Sequence, residues 1–405
     1  MAKNLLLVSL DTLRADVAYS GKLRALESLR SRGTAFRTTV SSSPLTPVSH
    51  ATVLTGVQPP SHCVRHLFRE RLDPEIPTLA TVLSTRGYAC GAVVSSPGLN
   101  RWYGFDRGFD FYDDWVPPLP GGQDALHVVD VETRGTAMKR APDVVERSLS
   151  WLRRQRQRPI FLFAHFFDAH WPYDPPESFD APTSNPYEAE AAFMDHYLGT
   201  LLDEADAAGL RMDETLVVCF SDHGEDLGGW YQDDHSGDRG HDEERGHGCL
   251  LYDTTQLVPL VLAGPGIGGG IECNTQVRLA DVMPTALAAL DIAVQSSESR
   301  SLMPACQGGQ LEPLPAYCET FYPEELAEAE PRWKHLRPLK AVRTTGRKTI
   351  WQVNGDEVWV FDLDLDPYEK RPLRLAGDRQ PDARTDDPGF MAEAGQGTTP
   401  NRPDP

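Results

Sequence analysis

The sequence predicts an α/β fold: a mostly parallel central sheet with helices on both faces, followed by a small antiparallel C-terminal subdomain. Two observations lead there. Buried-strand and helix patterns alternate through the first three quarters of the 405 residues. Near residue 298 that alternation gives way to short strands separated by turns.

The elements follow in chain order. "NLLLVSL", Asn4 to Leu10, is a continuous apolar run, the pattern of a strand buried on both faces. "GKLRALESLRSRG" spaces its apolar residues as a helix does and closes on Gly33. "SSSPLTPVSHATVLTG", Ser41 to Gly56, is a polar loop running into a short helix, Ser49 to Thr55, stopped by Gly56. "TLATVLSTRG" is a helix closed by Gly87, and "YACGAVVSS" the strand after it. "VVERSLSWLRR" is a helix and "PIFLFAHFF" a strand. "PYEAEAAFMDHYLGTLLDEADAAG" is a long helix, followed by the strands "TLVVCF" and "VPLVLAG" and the helix "ADVMPTALAALDI". These form a catalytic block, residues 1–298, without internal repeats. In 299–375 the segments "AYCETFY", "LKAVRTTG", "KTIWQV" and "EVWVFDL" are short strands, with Asn354-Gly355 as a hairpin turn. Residues 376–405 are rich in Pro, Gly, Asp and Thr and have little to bury, so a disordered tail is expected.

Composition narrows the function classes. The formal charge is −20 and the sequence pI about 5.0, which disfavours a nucleic-acid backbone or an anionic membrane as partner. No apolar run is long enough to span a bilayer. The N-terminal apolar run is short and lacks a small-residue cleavage site, so it reads as a strand and the expected location is cytoplasmic. The seven Cys are scattered without a C-x-x-C pair, the pattern of reduced thiols.

Three strands end in the same chemistry. "VSLDTLRAD" places Asp11 just past the first. "AHFFDAHWPYDPP" places Asp168 and His170 past the second. "VVCFSDHGEDLG" places Asp222 and His223 past the third. Ligands of open α/β sheets bind outside the carboxyl ends of the strands. If these strands are parallel neighbours, their acidic residues meet at one edge and repel unless a cation joins them. Asp with His suits Zn²⁺ or Mn²⁺; a mostly carboxylate and water set suits Mg²⁺ or Ca²⁺. The hydroxyl-rich opening of the Ser41–Gly56 segment adds a place for an anion, because the first N–H groups of a helix are unpaired.

These segments, taken in order, resemble the sulfatase-like branch of the alkaline phosphatase superfamily. "NLLLVSLDTLRAD" is similar to its opening strand and first metal Asp, and "TPVSHATVLTG" to its nucleophile loop and helix. "HFFDAHWPYDPP" resembles D-P-H-x-P-Y-x-P-P, and "VVCFSDHGEDLG" resembles T-S-D-H-G-E-x-L-G. "GHGCLLYDTTQLVPLVLAGPG" resembles H-G-x-x-L-Y-E-x-x-x-x-V-P-L. "LADVMPTALAALDI" and "EVWVFDLDLDPYEKRPL" match as well, so the resemblance runs from about residue 4 to 375.

The resemblance implies an alkaline phosphatase-like fold and a divalent metal held by Asp11, Asp222 and His223, with Thr46 at the nucleophile position and bound to the metal. His170 and His247 would contact the transferred group or donate to the leaving oxygen, with Asp168 orienting His170. Alternatively Asp168, His170 and His247 would hold a second ion. His50 falls where the family has the Arg of C-x-P-S-R. "HCVRHLF", with Arg65, stands for the family's H-G-V-R-x-N, with Cys63 and Leu67 departing from it. His50, Asp168 and Arg65 are therefore the expected substrate contacts.

Thr46 departs from the formylglycine-forming Cys or Ser, and Pro47-Val48 departs from the usual Pro-Ser order, which keeps Ser43 and Ser49 as alternative nucleophiles. A threonine ester must be cleaved by a second attack, which a phosphoryl ester undergoes more readily than a sulfate ester. The expected activity is thus metal-dependent hydrolysis of phosphate mono- or diesters or phosphonate esters, on a small anionic ester substrate. A sulfuric ester hydrolase, a phospho-group transferase to an alcohol and a metal-binding protein without turnover are the alternatives. Residues 229–246 hold six acidic residues and two His. An extra cation site or a substrate lid is one reading of them, and a solvated loop the preferred one.

Overall fold

The computed structural model describes residues 2–376 apart from 120, 129–130, 156–157, 236–245, 294–295 and 330. The strands are β1 (Asn4–Leu10), β2 (Gly33–Val40), β3 (Ala89–Val93), β4 (Phe111–Asp113), β5 (Ile160–Phe166), β6 (Thr215–Phe220), β7 (Leu257–Ala263), β8 (Ile271–Cys273), β9 (Val277–Arg278), β10 (Ala316–Thr320), β11 (Leu339–Arg343), β12 (Arg347–Gln352), β13 (Glu357–Asp362) and β14 (Leu373–Ala376). Among the described residues, β1 to β9 form one sheet in the order β4-β3-β5-β1-β6-β7-β2-β8, with β9 also on β2. The strands β5, β1 and β6 are parallel neighbours at its centre, as the site requires.

Alternate residues of β1 enter opposite layers of core, which is why both faces of this strand are apolar. Leu5 and Leu7 join one core, with Val48 and Ala51 of α2 (Thr46–Thr55) and Ala286 and Leu287 of α5 (Val282–Ala289). Leu6, Val8 and Leu10 join the other, with residues of α1 (Arg24–Ser31), α3 (Ala141–Leu152) and α4 (Pro186–Ala205). The expected helix-covered, mostly parallel sheet is the observed one.

Four details differ from expectation. β7 runs antiparallel to both β6 and β2, because an apolar run carries no direction of its own. β2 escaped notice: "GTAFRTTV" lacks a clear apolar alternation, and its identity comes from pairing between β7 and β8. α2 begins at Thr46 instead of Ser49, since Pro47 fits a first turn, where its missing N–H is not needed. "AYCETFY" ends its strand at Thr320, and a helix, Tyr322–Ala329, follows.

The strands β10 to β14 form a separate antiparallel sheet in sequence order. Asn354 has a φ of 56° in the β12–β13 turn, the left-handed conformation expected of an Asn-Gly hairpin. Beyond Ala376, the segment expected to be a disordered tail lies outside the described residues.

A buried ion cluster fastens this sheet to the large one. Asp253, just before β7, accepts from Arg343 Nη2 of β11 and Lys348 Nζ of β12, each at 2.8 Å. Arg343 Nη1 also donates to Gln276 Oε1 at 2.6 Å, and Glu369 Oε1 lies 3.0 Å from Lys348 Nζ. Burial acts to raise Asp253, but Lys348 and Arg343 hold it well below the usual carboxylate range. Burial lifts Glu369 to about 7. Lys348 is fully buried, so Lys348→Met leaves Glu369 without its cation and Asp253 with Arg343 alone, and costs about 3–5 kcal/mol of stability at neutral pH, measured by urea unfolding. The contribution of a depressed carboxylate is present above its unfolded pKa and lost as pH falls through the lower folded one. Wild type and variant are therefore expected to converge on acidification.

Candidate active site

The ends of β1 and β6 lie side by side, so Asp11 and Asp222 emerge together. Asp11 is anchored across to β5 by its N–H on Phe166 O, at 3.0 Å. Asp222 is followed by His223 and Gly224. A Cβ on Gly224 would stand 2.2 Å from the Thr254 carbonyl oxygen, so only glycine lets the chain turn there and leave His223 facing the two carboxylates. One ligand atom from each of Asp11, Asp222 and His223 lies within 4.8 Å of the others, and all three residues are buried.

The donor set fits a cation. Asp11 Oδ1 and Asp222 Oδ2 are buried and meet no hydrogen-bond partner among the described residues, a costly state for a carboxylate oxygen. His223 Nδ1 bonds Gly224 O at 3.1 Å. That carbonyl accepts only, so Nδ1 holds the proton and Nε2 turns its lone pair toward Asp222 Oδ2, 3.4 Å away. Two carboxyl oxygens and an imidazole lone pair thus converge, a donor set that suits a divalent ion. Burial and the neighbouring Asp222 push Asp11 well above the usual carboxylate range. Burial lowers His223 to about 4 despite Asp222, keeping it neutral at pH 7.

Thr46 opens α2, and no side chain caps this helix. Its Oγ1 donates to Asp11 Oδ2 at 3.2 Å and lies 3.4 Å from His223 Nε2. The hydroxyl therefore joins the carboxylate–imidazole cluster at a helix N-terminus, where N–H groups and the dipole favour an anion. Ser49, by contrast, donates to the Asp222 carbonyl at 2.8 Å and acts as a tie between α2 and the Asp222 loop. Ser43 Oγ has no hydrogen-bond partner among the described residues, and no contact joins it to the cluster.

Two further histidines extend the site outward. The His247 ring lies 4.2 Å from that of His223 and 5.0 Å from that of His170. His170 stacks on Phe167 at 4.2 Å, with Nδ1 on Trp171 O at 2.8 Å. His247 Nδ1 lies 3.1 Å from Glu225 Oε1, and the His247 side chain keeps 14 % exposure. Burial lowers His247 to about 4 and His170 well below its usual value. Glu225, a residue the sequence did not single out, is lifted by burial to about 8.

The remaining expected contacts stand elsewhere. Asp168 does not orient His170: its Oδ1 accepts from Ala141 N at 3.0 Å and pairs with Arg140 Nε at 3.1 Å, so it caps α3. Among the described residues Asp168, His170 and His247 do not all bring ligand atoms within 4.8 Å of one another, so the expected second-ion set does not assemble. Arg65 bonds Glu319 through Nε, at 2.6 Å, and Nη2, and lies over the Phe321 ring. Its guanidinium thus serves the C-terminal sheet. His50 is fully buried beneath α2, with Nδ1 on Thr46 O at 2.7 Å and Nε2 on Ser9 Oγ at 2.9 Å. Both ring nitrogens are committed to the protein, so His50 supports Thr46 and does not face a substrate.

Arg14 and His165 were also missed. Arg14, fully buried, pairs with Asp16, Asp233 and Asp234, donates to Glu225 O, and lies over the Tyr231 ring. The first half of the acidic 229–246 segment is thus fixed to the floor of the site; 236–245 lie outside the described residues. A readable signal existed for both: an ionisable residue beside or within a buried strand demands a partner.

Comparison with known proteins follows from this arrangement. The Sulfatase family model matches residues 3–292. A choline-sulfatase of Rhizobium meliloti is 31% identical over 188 residues, 45% of this chain and 31% of the relative. Human arylsulfatase K is 28% identical over 194 residues, 45% of this chain and 32% of the relative. The matched part spans about a third of these curated relatives. Among solved structures, the phosphonate monoester hydrolase of Agrobacterium radiobacter superposes with a TM-score of 0.69 at 19% identity, covering 91% of each chain. A protein solved with its substrate D-glucosamine-2-N,6-O-disulfate gives 0.70 at 16%, covering 92% of this chain and 93% of that one. These likenesses show the fold. Among the described residues, no helix is long and apolar enough to cross a membrane.

Because Arg65 serves Glu319, Arg65→Met is expected to lower stability by about 3 kcal/mol and to leave divalent-cation affinity unchanged. Thermal unfolding and Mn²⁺ titration calorimetry on the same variant check both halves.

Proposed function

This chain belongs to the sulfatase family, and we propose that it is a metal-dependent hydrolase of phosphate mono- or diesters, or of phosphonate esters, with Thr46 as nucleophile. The observation that carries this is the seat of Thr46 Oγ1 between Asp11 and His223 at the open N-terminus of α2. Asp11, Asp222 and His223 would hold the divalent ion, which would supply neutralisation of charge on the transferred group and favour the ionised form of a bound hydroxyl. Asp11 Oδ2 accepts the Thr46 hydroxyl and aims it. The backbone N–H groups opening α2 receive the anionic oxygens of the substrate. His247 and His170, neutral and packed edge-on at the outer side, stand where the leaving alcohol departs. An anion bound over them favours their protonated form, opposing the effect of burial, so they can pass a proton to the leaving oxygen. The residual exposure of His247 marks the side from which substrate and water enter.

Phosphorus is preferred over sulfur because of Thr46 itself. A threonine side chain forms an ordinary ester, and its release needs a second in-line attack, which phosphoryl centres accept more readily. One observation favours a second reading, a sulfuric ester hydrolase: the curated relatives named above are sulfatases. The chemistry at Thr46 favours the first reading.

Thr46→Ala is expected to lower kcat by about a thousandfold or more on the best of four substrates: an aryl phosphate, an aryl phosphodiester, a phosphonate monoester and an aryl sulfate. Full activity in that variant would remove Thr46 from the mechanism. Sulfate turnover far above the three phosphorus esters would establish the second reading instead. Asp222→Ala is expected to abolish the rise in Tm that excess Mn²⁺ or Zn²⁺ gives the metal-free protein. For wild type, that rise corresponds to about 2.7 kcal/mol at a free ion concentration of 100 Kd.

A further inference from the structure

His165 lies inside β5, one strand from Asp11, in a run that is otherwise apolar: "IFLFAHF". It is fully buried and ringed by His50, Phe163 and Phe167, whose centroids lie 5.0, 6.4 and 5.9 Å away. A polar side chain in such surroundings must be fully paired to be tolerated. Both ring nitrogens are. The backbone N–H of Ser95, just past β3, points at Nδ1 from 3.2 Å. An amide N–H only donates, so Nδ1 carries the lone pair and the proton sits on Nε2. Nε2 lies 2.9 Å from Asp11 Oδ2 and donates to it.

The consequence falls on Asp11. Its Oδ2 receives two donors, His165 Nε2–H and the Thr46 hydroxyl. Its Oδ1 receives none and is buried. The carboxylate is thus held in one rotation about its Cβ–Cγ bond, with the unpaired oxygen on the side of Asp222 and His223. Without His165 the neighbouring strand would offer Asp11 only backbone groups, already spent in the β1–β5 ladder.

We propose that His165 is a positioning residue that turns Asp11 Oδ1 toward the cation by donating from Nε2 to Oδ2, with its own tautomer set by the Ser95 amide. The proposal rests on reading Asp11 as a cation ligand. Partners behind metal ligands commonly contribute 10–100-fold in affinity.

The test uses the full chain stripped of metal and titrated with Mn²⁺ or Zn²⁺ alone by calorimetry. His165→Met, which keeps the volume and loses the donor, is expected to bind either ion about 10–100-fold more weakly. His165→Gln, which places an N–H near the Nε2 position, is expected to restore most of that loss. Unchanged affinity in His165→Met, or a His165→Gln as weak as His165→Met, overturns the proposal. A readout that needs no variant accompanies these: a long-range ¹H–¹⁵N spectrum of the wild-type imidazoles. A neutral Nε2–H ring for His165 is expected; an Nδ1–H tautomer or an imidazolium overturns the assignment even where His165→Met fails to fold. Wild type that binds neither ion overturns the cation reading of the whole site. Normal wild-type binding with an indifferent His165→Met overturns only this inference.

Discussion

Two carboxylates, Asp11 and Asp222, are forced together inside the protein by the pairing of two parallel strands. Like charges near 4 Å repel by roughly 4 kcal/mol even at an effective dielectric of 20. Among the described residues, neither group has a Lys or Arg paired with it; the neighbours are imidazoles that burial keeps neutral. Much of the surrounding structure answers this constraint. His165 occupies one oxygen of Asp11 from β5, Thr46 joins it from α2, and Ser49 holds the Asp222 carbonyl. What remains is a pair of buried oxygens without hydrogen-bond partners among the described residues beside a nitrogen lone pair, a donor set that suits a divalent ion.

The protein's own cations are placed one layer further out. Arg14 draws together Asp16, Asp233, Asp234 and the Glu225 carbonyl, and so ties residues 233–234 to the segment that follows His223. Lys139, also fully buried, is spent on Asp113 and the Val94 carbonyl. Lys348 and Arg343 are spent on Asp253 between the two sheets. A chain of net charge −20 thus places these buried cations in structural joints, away from the Asp11–Asp222–His223 cluster. That arrangement ties the geometry of the site to the docking of the C-terminal sheet, because Asp253 lies in the segment between His247 and β7.

The features legible in the sequence were those written locally. A run such as "NLLLVSL" can only be a strand covered on both sides, and "TLVVCF" was placed to the residue. Asp11 and Asp222-His223 were visible because ionisable groups directly after apolar strands are rare without cause. Asp168 looked equivalent to them by the same rule, yet the structure spends it on Ala141 and Arg140. His50 and Arg65 looked like substrate contacts by position in a pattern; both ring nitrogens of His50 are bonded within the protein, and Arg65 is engaged by Glu319 of the C-terminal sheet. His165 was hidden for the converse reason. One histidine within an apolar strand reads as packing until the strand beside it is known.

The sequence by itself determined the alternation of strands and helices, the two styles of sheet, and the few residues whose charge has no ordinary place in a buried strand end. These follow from periodicity and desolvation, which depend on near neighbours in the chain. Only the tertiary structure decided that β5, β1 and β6 are adjacent, that β7 runs against its neighbours, and that Thr46 rather than Ser49 starts α2 beside Asp11. It also separated the groups that face the cluster from those paired away from it. Each of these depends on where a partner far along the chain comes to lie, from 35 residues for Thr46 and Asp11 to 254 for Arg65 and Glu319, and a donor's partner is set by packing, not by its position in the chain.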